Sequence, residues 1–349
     1  QSEYCQTEIR IAVGAPQHLL PICPLLLESE CRLPKSISHI QAFDLNCGSD
    51  DQTSLQFRIK QIIDWVDDPG HAEFCKEFNE LQEKLKPFSF EARLGELLSR
   101  PFVGREWLLE KINTWDESES RLFGIIGGPG FGKSLFAANL RALSPEKVGA
   151  AQYIEWSKPD LFRPSQIIKS LAFQLAARIS DFRGLLIKAI ADIGDLDSLS
   201  DDALFARLLS EPLKYVNPNN TFWIVLDALD EATGRDGQNP FLQTLMQNLN
   251  QLPKWLKFIV TSRPDSAVVS HLQGYGMQIF DTDEMVKQEQ YNDMMKFLQG
   301  ELKEHRFTRA LFEGMIHKSQ GMFLYLHLVC EDIKMNNLTI DEINRIPEG

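Results

Sequence analysis

The segment FGIIGGPGFGKSLFAANL, residues 123–140, sets an apolar strand, a glycine-rich turn and a helix in direct succession. Within it, Gly127, Gly128, Pro129, Gly130, Phe131, Gly132, Lys133 and Ser134 match the pattern GxxxxGK[ST]. The glycines let the backbone curl so that successive N–H groups point inward at phosphate oxygens. The helix that begins near Gly132 adds its positive dipole end. Lys133 is expected to reach the β- and γ-phosphates of a nucleoside triphosphate, and Ser134 to place its hydroxyl on magnesium.

Such a loop needs a second carboxylate on the metal side. Thr221–Leu226 is an apolar run fit for a buried strand, and it ends in Asp227-Ala228-Leu229-Asp230-Glu231. Ligands of parallel sheets sit at strand C-termini, so Asp227 is expected beside the phosphate loop, holding magnesium through water. Asp230 or Glu231 can orient or deprotonate an attacking water. A further strand, Lys257–Val260, ends in Thr261-Ser262-Arg263-Pro264. At that position Arg263 either reaches the γ-phosphate or pairs with the acidic patch.

From Pro101 onward, strands alternate with helical segments. The strand candidates are Arg121–Gly127, Ala150–Trp156, Thr221–Leu229, Leu256–Arg263 and Met277–Asp281. The alternation implies a parallel sheet with helices on both faces. After about Asp283 the pattern turns helical, over Gln288–Glu304, Thr308–Lys318 and Met322–Lys334. Upstream, residues 1–66 read as a partial α/β unit with a helix at Thr7–Val13, strands at His18–Leu27 and His39–Leu45, and a helix through Leu55–Val66. Residues 67–100 read as a helical linker whose apolar face is Phe74, Phe78, Leu81 and Leu85. The expected division is therefore 1–66, 67–100, 101–283 and 284–349.

Composition removes several alternatives. A net charge of -13 argues against sequence-independent nucleic-acid binding, which relies on Lys and Arg. No apolar run is long enough to span a bilayer, so no membrane role is expected. The six cysteines are scattered without CxxC pairs, which suits free thiols in the cytoplasm. The opening has no initiator Met and no signal-peptide core, so the chain reads as a piece of a longer protein.

Together these residues resemble the NACHT family of STAND ATPases, nucleotide switches of innate-immunity and programmed-death proteins. That family's acidic motif has a tiny residue after the magnesium Asp, then two acidic residues, as in Asp227–Glu231. Thr261-Ser262-Arg263 is similar to its sensor-1 motif. Phe102-Val103-Gly104-Arg105-Glu106 looks like the motif that opens the family's ATPase module, which implies that the backbone of Val103, Gly104 and Arg105 lies along the adenine. Ser319–Tyr325 resembles the helical-domain element that covers the base, and Phe323 stands where many relatives carry Pro. The resemblance spans about Pro101 to Gly349, and the chain stops where the family's winged helix would begin.

The amino-terminal piece resembles the back half of a TIR domain, a flavodoxin-like α/β unit. Ser2-Glu3-Tyr4-Cys5-Gln6-Thr7-Glu8 is similar to the TIR motif Ser-x-Trp-Cys-x-x-Glu, with Tyr4 in the Trp position. In NAD-cleaving TIR domains that Glu is catalytic, so the resemblance makes Glu8 the candidate. Half of that pocket is missing here, which restricts NAD cleavage to a complete protein.

The resemblance implies a switch that is closed with ADP, open and oligomeric with ATP, and slow to hydrolyse. Its expected partners are the nucleotide, further copies of itself and other TIR domains. The alternative is a nucleotide-binding scaffold that recruits partners through TIR contacts without NAD chemistry. No phosphoacceptor motif favours a metabolic kinase. The motifs do not separate ATP from GTP, although no guanine-specific NKxD is present.

Overall fold

The computed structural model describes Leu25–Leu26, Phe43–Asp44 and residues 69–349 other than 89, 159–161, 235, 265, 282–286 and 337. Strands β1 (Leu25–Leu26) and β2 (Phe43–Asp44) pair in parallel, Leu25 opposite Phe43. The helices expected at Thr7–Val13 and Leu55–Val66, and Glu8 itself, lie outside the described residues.

Five strands form the main sheet: β3 (Leu122–Ile126), β4 (Val148–Tyr153), β5 (Phe222–Asp227), β6 (Leu256–Ser262) and β7 (Gln278–Asp281). Their order is β4-β5-β6-β3-β7, and every pairing is parallel. Strands covered on both faces read as near-continuous apolar runs. The sheet follows that rule, with β3, β4 and β6 buried along their whole length. Side chains alternate between the faces. Trp223 and Val225 enter one core, while Ile224 and Leu226 enter the other.

Helices α1 (Pro69–Leu85), α2 (Glu91–Leu98), α3 (Glu106–Asp116) and α4 (Lys133–Leu143) come first in the chain. Next are α5 (Pro164–Arg178), α6 (Ser180–Ala191), α7 (Asp201–Phe205) and α8 (Glu211–Leu213). A π turn, Ala206–Ser210, joins the last two. Pro212 has no N–H to continue an i→i−4 ladder, which accounts for the loosened turn before it. Helices α9 (Pro240–Asn248) and α10 (Ser266–Gln273) complete the sheet unit.

One core combines α1 and α5 to α10 with one sheet face. The other combines α2, α3 and α4 with the opposite face. Helices α1 and α2 thus belong to the cores of the sheet unit. Phe78 of α1 packs on Phe173 of α5 with ring centroids 4.5 Å apart.

The remaining helices, α11 (Lys287–Glu301), α12 (Arg309–Ser319), α13 (Phe323–Asn336) and α14 (Ile340–Arg345), enclose a third core around Leu298, Met315, Leu326 and Ile333. Side chains cap the starts of α12 and α14. Thr308 accepts the Leu311 N–H, and Thr339 forms a capping box with Glu342. Among the described residues, no helix is long and apolar enough to cross a membrane.

Leu81 of α1 is fully buried. Replacing it with Ala is expected to cost about 2–5 kcal/mol of stability in urea unfolding, with an unchanged m-value. A loss below about 1 kcal/mol would show that α1 docks outside the cooperative unit.

Candidate functional site

The C-terminal ends of the parallel strands converge on one edge, where Ile126 is paired with both Ser262 and Asp281. The glycine-rich loop leaves β3 at this edge, and the Gly127 N–H donates to the Ser262 carbonyl at 3.2 Å. Gly130 (φ 78°) and Gly132 (φ 83°) take left-handed conformations that side chains disfavour. They turn the chain into α4, whose first residue is Lys133. The Lys133 ammonium donates to the carbonyls of Gly127 and Gly128, both at 2.7 Å.

Strand β6 lies between β3 and β5, so Asp227 is one strand removed from the loop's own strand. Thr261 on β6 closes the gap. Its hydroxyl donates to Asp227 Oδ1 at 2.5 Å and accepts the Ala228 N–H at 2.9 Å. The Ser134 hydroxyl also bonds to Asp227. Asp227 is almost wholly buried, and that burial pushes its pKa up against the pull of Thr261 and Ser134. Ala228 has φ 56°, a left-handed corner that a bulky residue would strain, which accounts for the tiny residue at this point.

Asp230 and Glu231 both meet Arg263. The Arg263 backbone N–H donates to Asp230 Oδ1 at 3.1 Å, and its Nε is 3.5 Å from Asp230 Oδ2. Its Nη2 donates to Glu231 Oε1 at 3.0 Å. The second Glu231 oxygen accepts the Trp156 N–H at 3.1 Å. Arg263 is thus paired with both carboxylates of the acidic patch.

A cavity of about 250 Å3 opens over these groups. Pro129, Gly130, Phe131, Gly132, Lys133 and Ser134 form its floor, and Asp230, Glu231 and Arg263 one wall. Helix α2 supplies Arg93 and Leu97, Arg100 and Pro101 follow it, and the helical unit supplies Phe297, Phe323, Leu324 and His327. Val103, Gly104 and Arg105 are not in the lining; Arg100 and Pro101, just before them, are. Val103 instead packs against the helical core.

Arg105 does different work. It is a buried residue at φ 71° whose Nη2 donates to the Phe131 carbonyl at 2.6 Å. Its guanidinium lies 4.5 Å from the centre of the Phe323 ring, a cation–π distance. Its backbone N–H donates to Asp293 Oδ2 at 3.1 Å, and the Trp107 indole donates to the same oxygen at 2.8 Å. Burial draws the Arg105 pKa down to about 10, with Asp293 opposing. Gly104 is required beside it, because a Cβ there would stand 2.2 Å from Asp293 Cγ.

Sequence reasoning missed Asp293, Trp107, Arg93 and Arg100. Nothing local marks Asp293, which sits in a polar helix. A signal did exist for the arginines. Arg93, Leu97 and Arg100 fall at i, i+4 and i+7, on one helical face.

Residues 104–263 match the family model described as "Nephrocystin 3, N-terminal". That stretch holds the phosphate loop, the acidic strand end and Thr261–Arg263. No curated protein matches the chain. Among solved structures, a Walker-type ATPase of Pyrococcus abyssi is similar at 17% identity with a TM-score of 0.46, covering 69% of this chain and 70% of that one. The GxxxxGK[ST] loop between a central parallel strand and its helix makes the fold that of a P-loop NTPase.

Asp227→Asn separates the fold's interest from the ligand's. A carboxyl whose folded pKa is raised penalises the fold once pH rises above the ordinary carboxylate range, about 3.9, and through the folded value. Without magnesium or nucleotide, the variant is therefore expected to melt above the wild type at pH 8, with a smaller gap at pH 5. With magnesium and ATP the order should reverse. Melting below the wild type in both conditions would mean that Asp227 serves the fold alone.

Proposed function

We propose that the chain is an ATP-binding, slowly hydrolysing switch of the NACHT type, acting in the cytoplasm and controlling self-association of a TIR effector in innate immunity or programmed cell death. One observation carries this reading: the helical unit is seated on the phosphate loop itself. The Leu324 N–H donates to the Gly130 carbonyl at 3.2 Å. Arg105 links Phe131 of the loop to Phe323 of α13. A ligand that rearranges the loop must therefore alter what the helical unit rests on. It shifts the position of that unit by its difference in affinity for the two arrangements.

The residues present fit a magnesium nucleotide. Ser134 and Asp227 offer the hydroxyl and carboxylate oxygens that magnesium prefers, and they would hold it. Magnesium supplies charge neutralisation at the β- and γ-oxygens when bound. Lys133 would exchange two loop carbonyls for phosphate oxygens. In hydrolysis a water oxygen bonds to the γ-phosphorus, the bond to the β–γ bridging oxygen breaks, and ADP leaves with the electron pair. The water's proton passes to Asp230 or Glu231. Both carboxylates are engaged by Arg263, which must leave them to meet the γ-phosphate. That exchange is a physical reason for slow turnover.

The effector reading rests on the Ser2–Glu8 motif, and the parallel pair β1–β2 supports an α/β unit there. NAD would be its substrate in a complete protein. The adaptor reading, with TIR contacts and no NAD chemistry, is the other outcome of the second test below.

Magnesium ATP at a hundredfold excess over its dissociation constant should stabilise the wild type by about 2.7 kcal/mol, and Lys133→Ala should show no such gain. Hydrogen exchange at the Leu324 amide should differ between the ADP and ATP states. An equal gain in Lys133→Ala would sink the nucleotide assignment. Identical exchange in both states would leave a scaffold and no switch.

In the complete activated protein, Glu8→Gln should stop nicotinamide release without changing ATP binding, because the amide keeps the shape and removes the charge facing the ribose. Undiminished release would remove Glu8 from the chemistry. No release from activated wild type would favour the adaptor.

A further inference from the structure

Helix α2 has two working faces. Leu94, Leu97 and Leu98 are buried in the core that also holds Phe136 of α4. Phe90, just before α2, packs edge-on against Tyr153 at the end of β4, with centroids 5.6 Å apart. The helix is thereby fixed across the mouth of the cavity. Arg93 is on α2, and Arg100 follows its end at Leu98; both border the cavity.

The two arginines share one carboxylate. Arg93 donates to Glu96 Oε2 at 3.0 Å, and Arg100 to Glu96 Oε1 at 2.7 Å. Arg93 and Arg100 line the cavity, and Glu96 does not. Asp230 and Glu231 line it too, and they already share Arg263. A triphosphate entering beside two carboxylates that share one arginine favours cations beyond Lys133 and one metal ion.

The ends of α2 face different parts of the site. Arg100 also borders a groove with Leu324, His327 and Leu328 of α13, on the helical-unit side. Arg93 lies at the end of α2 nearer the strand ends, because Phe90 beside it packs on Tyr153, which stands opposite Asp227 in the pairing of β4 with β5. A triphosphate bound by Lys133 and Ser134 would run toward Asp227, with its terminal phosphate at the Arg93 end of α2.

From the cavity lining and the shared carboxylate, we infer that Arg93 is a γ-phosphate ligand supplied from within the chain, held by Glu96 until a triphosphate displaces that carboxylate. The inference rests on the nucleotide-switch reading above and adds a residue that reads the third phosphate. A guanidinium suits the task because its planar fork can leave a carboxylate for two phosphate oxygens in one rotation. Glu96 is the positioning residue. It is half exposed, so its loss does not strand a buried charge.

The test uses isothermal titration of the whole chain with ATP and with ADP, each with magnesium. Arg93→Ala should weaken ATP binding about ten- to hundredfold, the range for one charge-assisted hydrogen bond, and ADP binding less than about threefold. Arg93→Lys should fall between, keeping the charge and losing the fork. Glu96→Gln should tighten ATP binding, because the competitor for Arg93 has gone. That gain is opposite in sign to any structural damage. Equal losses for ATP and ADP in Arg93→Ala, or no gain in Glu96→Gln, would overturn the inference while the switch reading stands. Wild type that binds neither nucleotide would overturn the reading beneath it.

Discussion

The Arg105 guanidinium sits where the phosphate loop and the helical unit meet, and both give it partners. Phe131 offers a carbonyl, Phe323 a ring face, and Asp293 a negative charge. A charge this buried is tolerated only when its partners replace water. Removing one side of such a buried pairing typically costs about 3–5 kcal/mol, because the survivor keeps its desolvation penalty. The left-handed backbone at Arg105 and Gly104 persists for the same reason, since the surrounding contacts over-determine it. The position of α13 over the phosphate loop depends on this junction.

At the other end of the cavity the balance runs the opposite way. Asp227 is buried with two hydroxyl partners and no direct cation among its hydrogen bonds. The fold holds a carboxyl there at a cost that a metal ion would relieve. Asp230 and Glu231 share one arginine, and the loop lysine is turned onto its own carbonyls. Each of these contacts is one that a magnesium triphosphate could replace with a stronger one. A site of this kind gives up stability without its ligand in return for response to it.

Helices α1 and α2 extend the same logic outward. Their apolar faces complete the two cores, so the segment before Pro101 is part of the nucleotide unit's architecture. The apolar face Phe78, Leu81 and Leu85 is plain in the sequence. What it packs against is not. A helical period says which residues seek burial and leaves open which surface receives them.

The division between sequence and tertiary structure follows from the range of the forces involved. The strands themselves were legible because a two-face-buried strand must be an unbroken apolar run, as in Trp223–Leu226 and Phe258–Val260, while their limits were not: β4 runs Val148–Tyr153, against the expected Ala150–Trp156. The phosphate loop was legible because its glycines answer to local backbone sterics. Strand order was not, since parallel strands are joined by crossovers that allow β6 to lie between β3 and β5. The partners of charged groups were hidden for the same reason. Arg263 finds Asp230 and Glu231, and Arg105 finds Asp293, only when distant segments converge on one sheet edge. Burial and periodicity are written along the chain. Coulomb and hydrogen-bond partners are chosen across space, and only the folded sheet decides them.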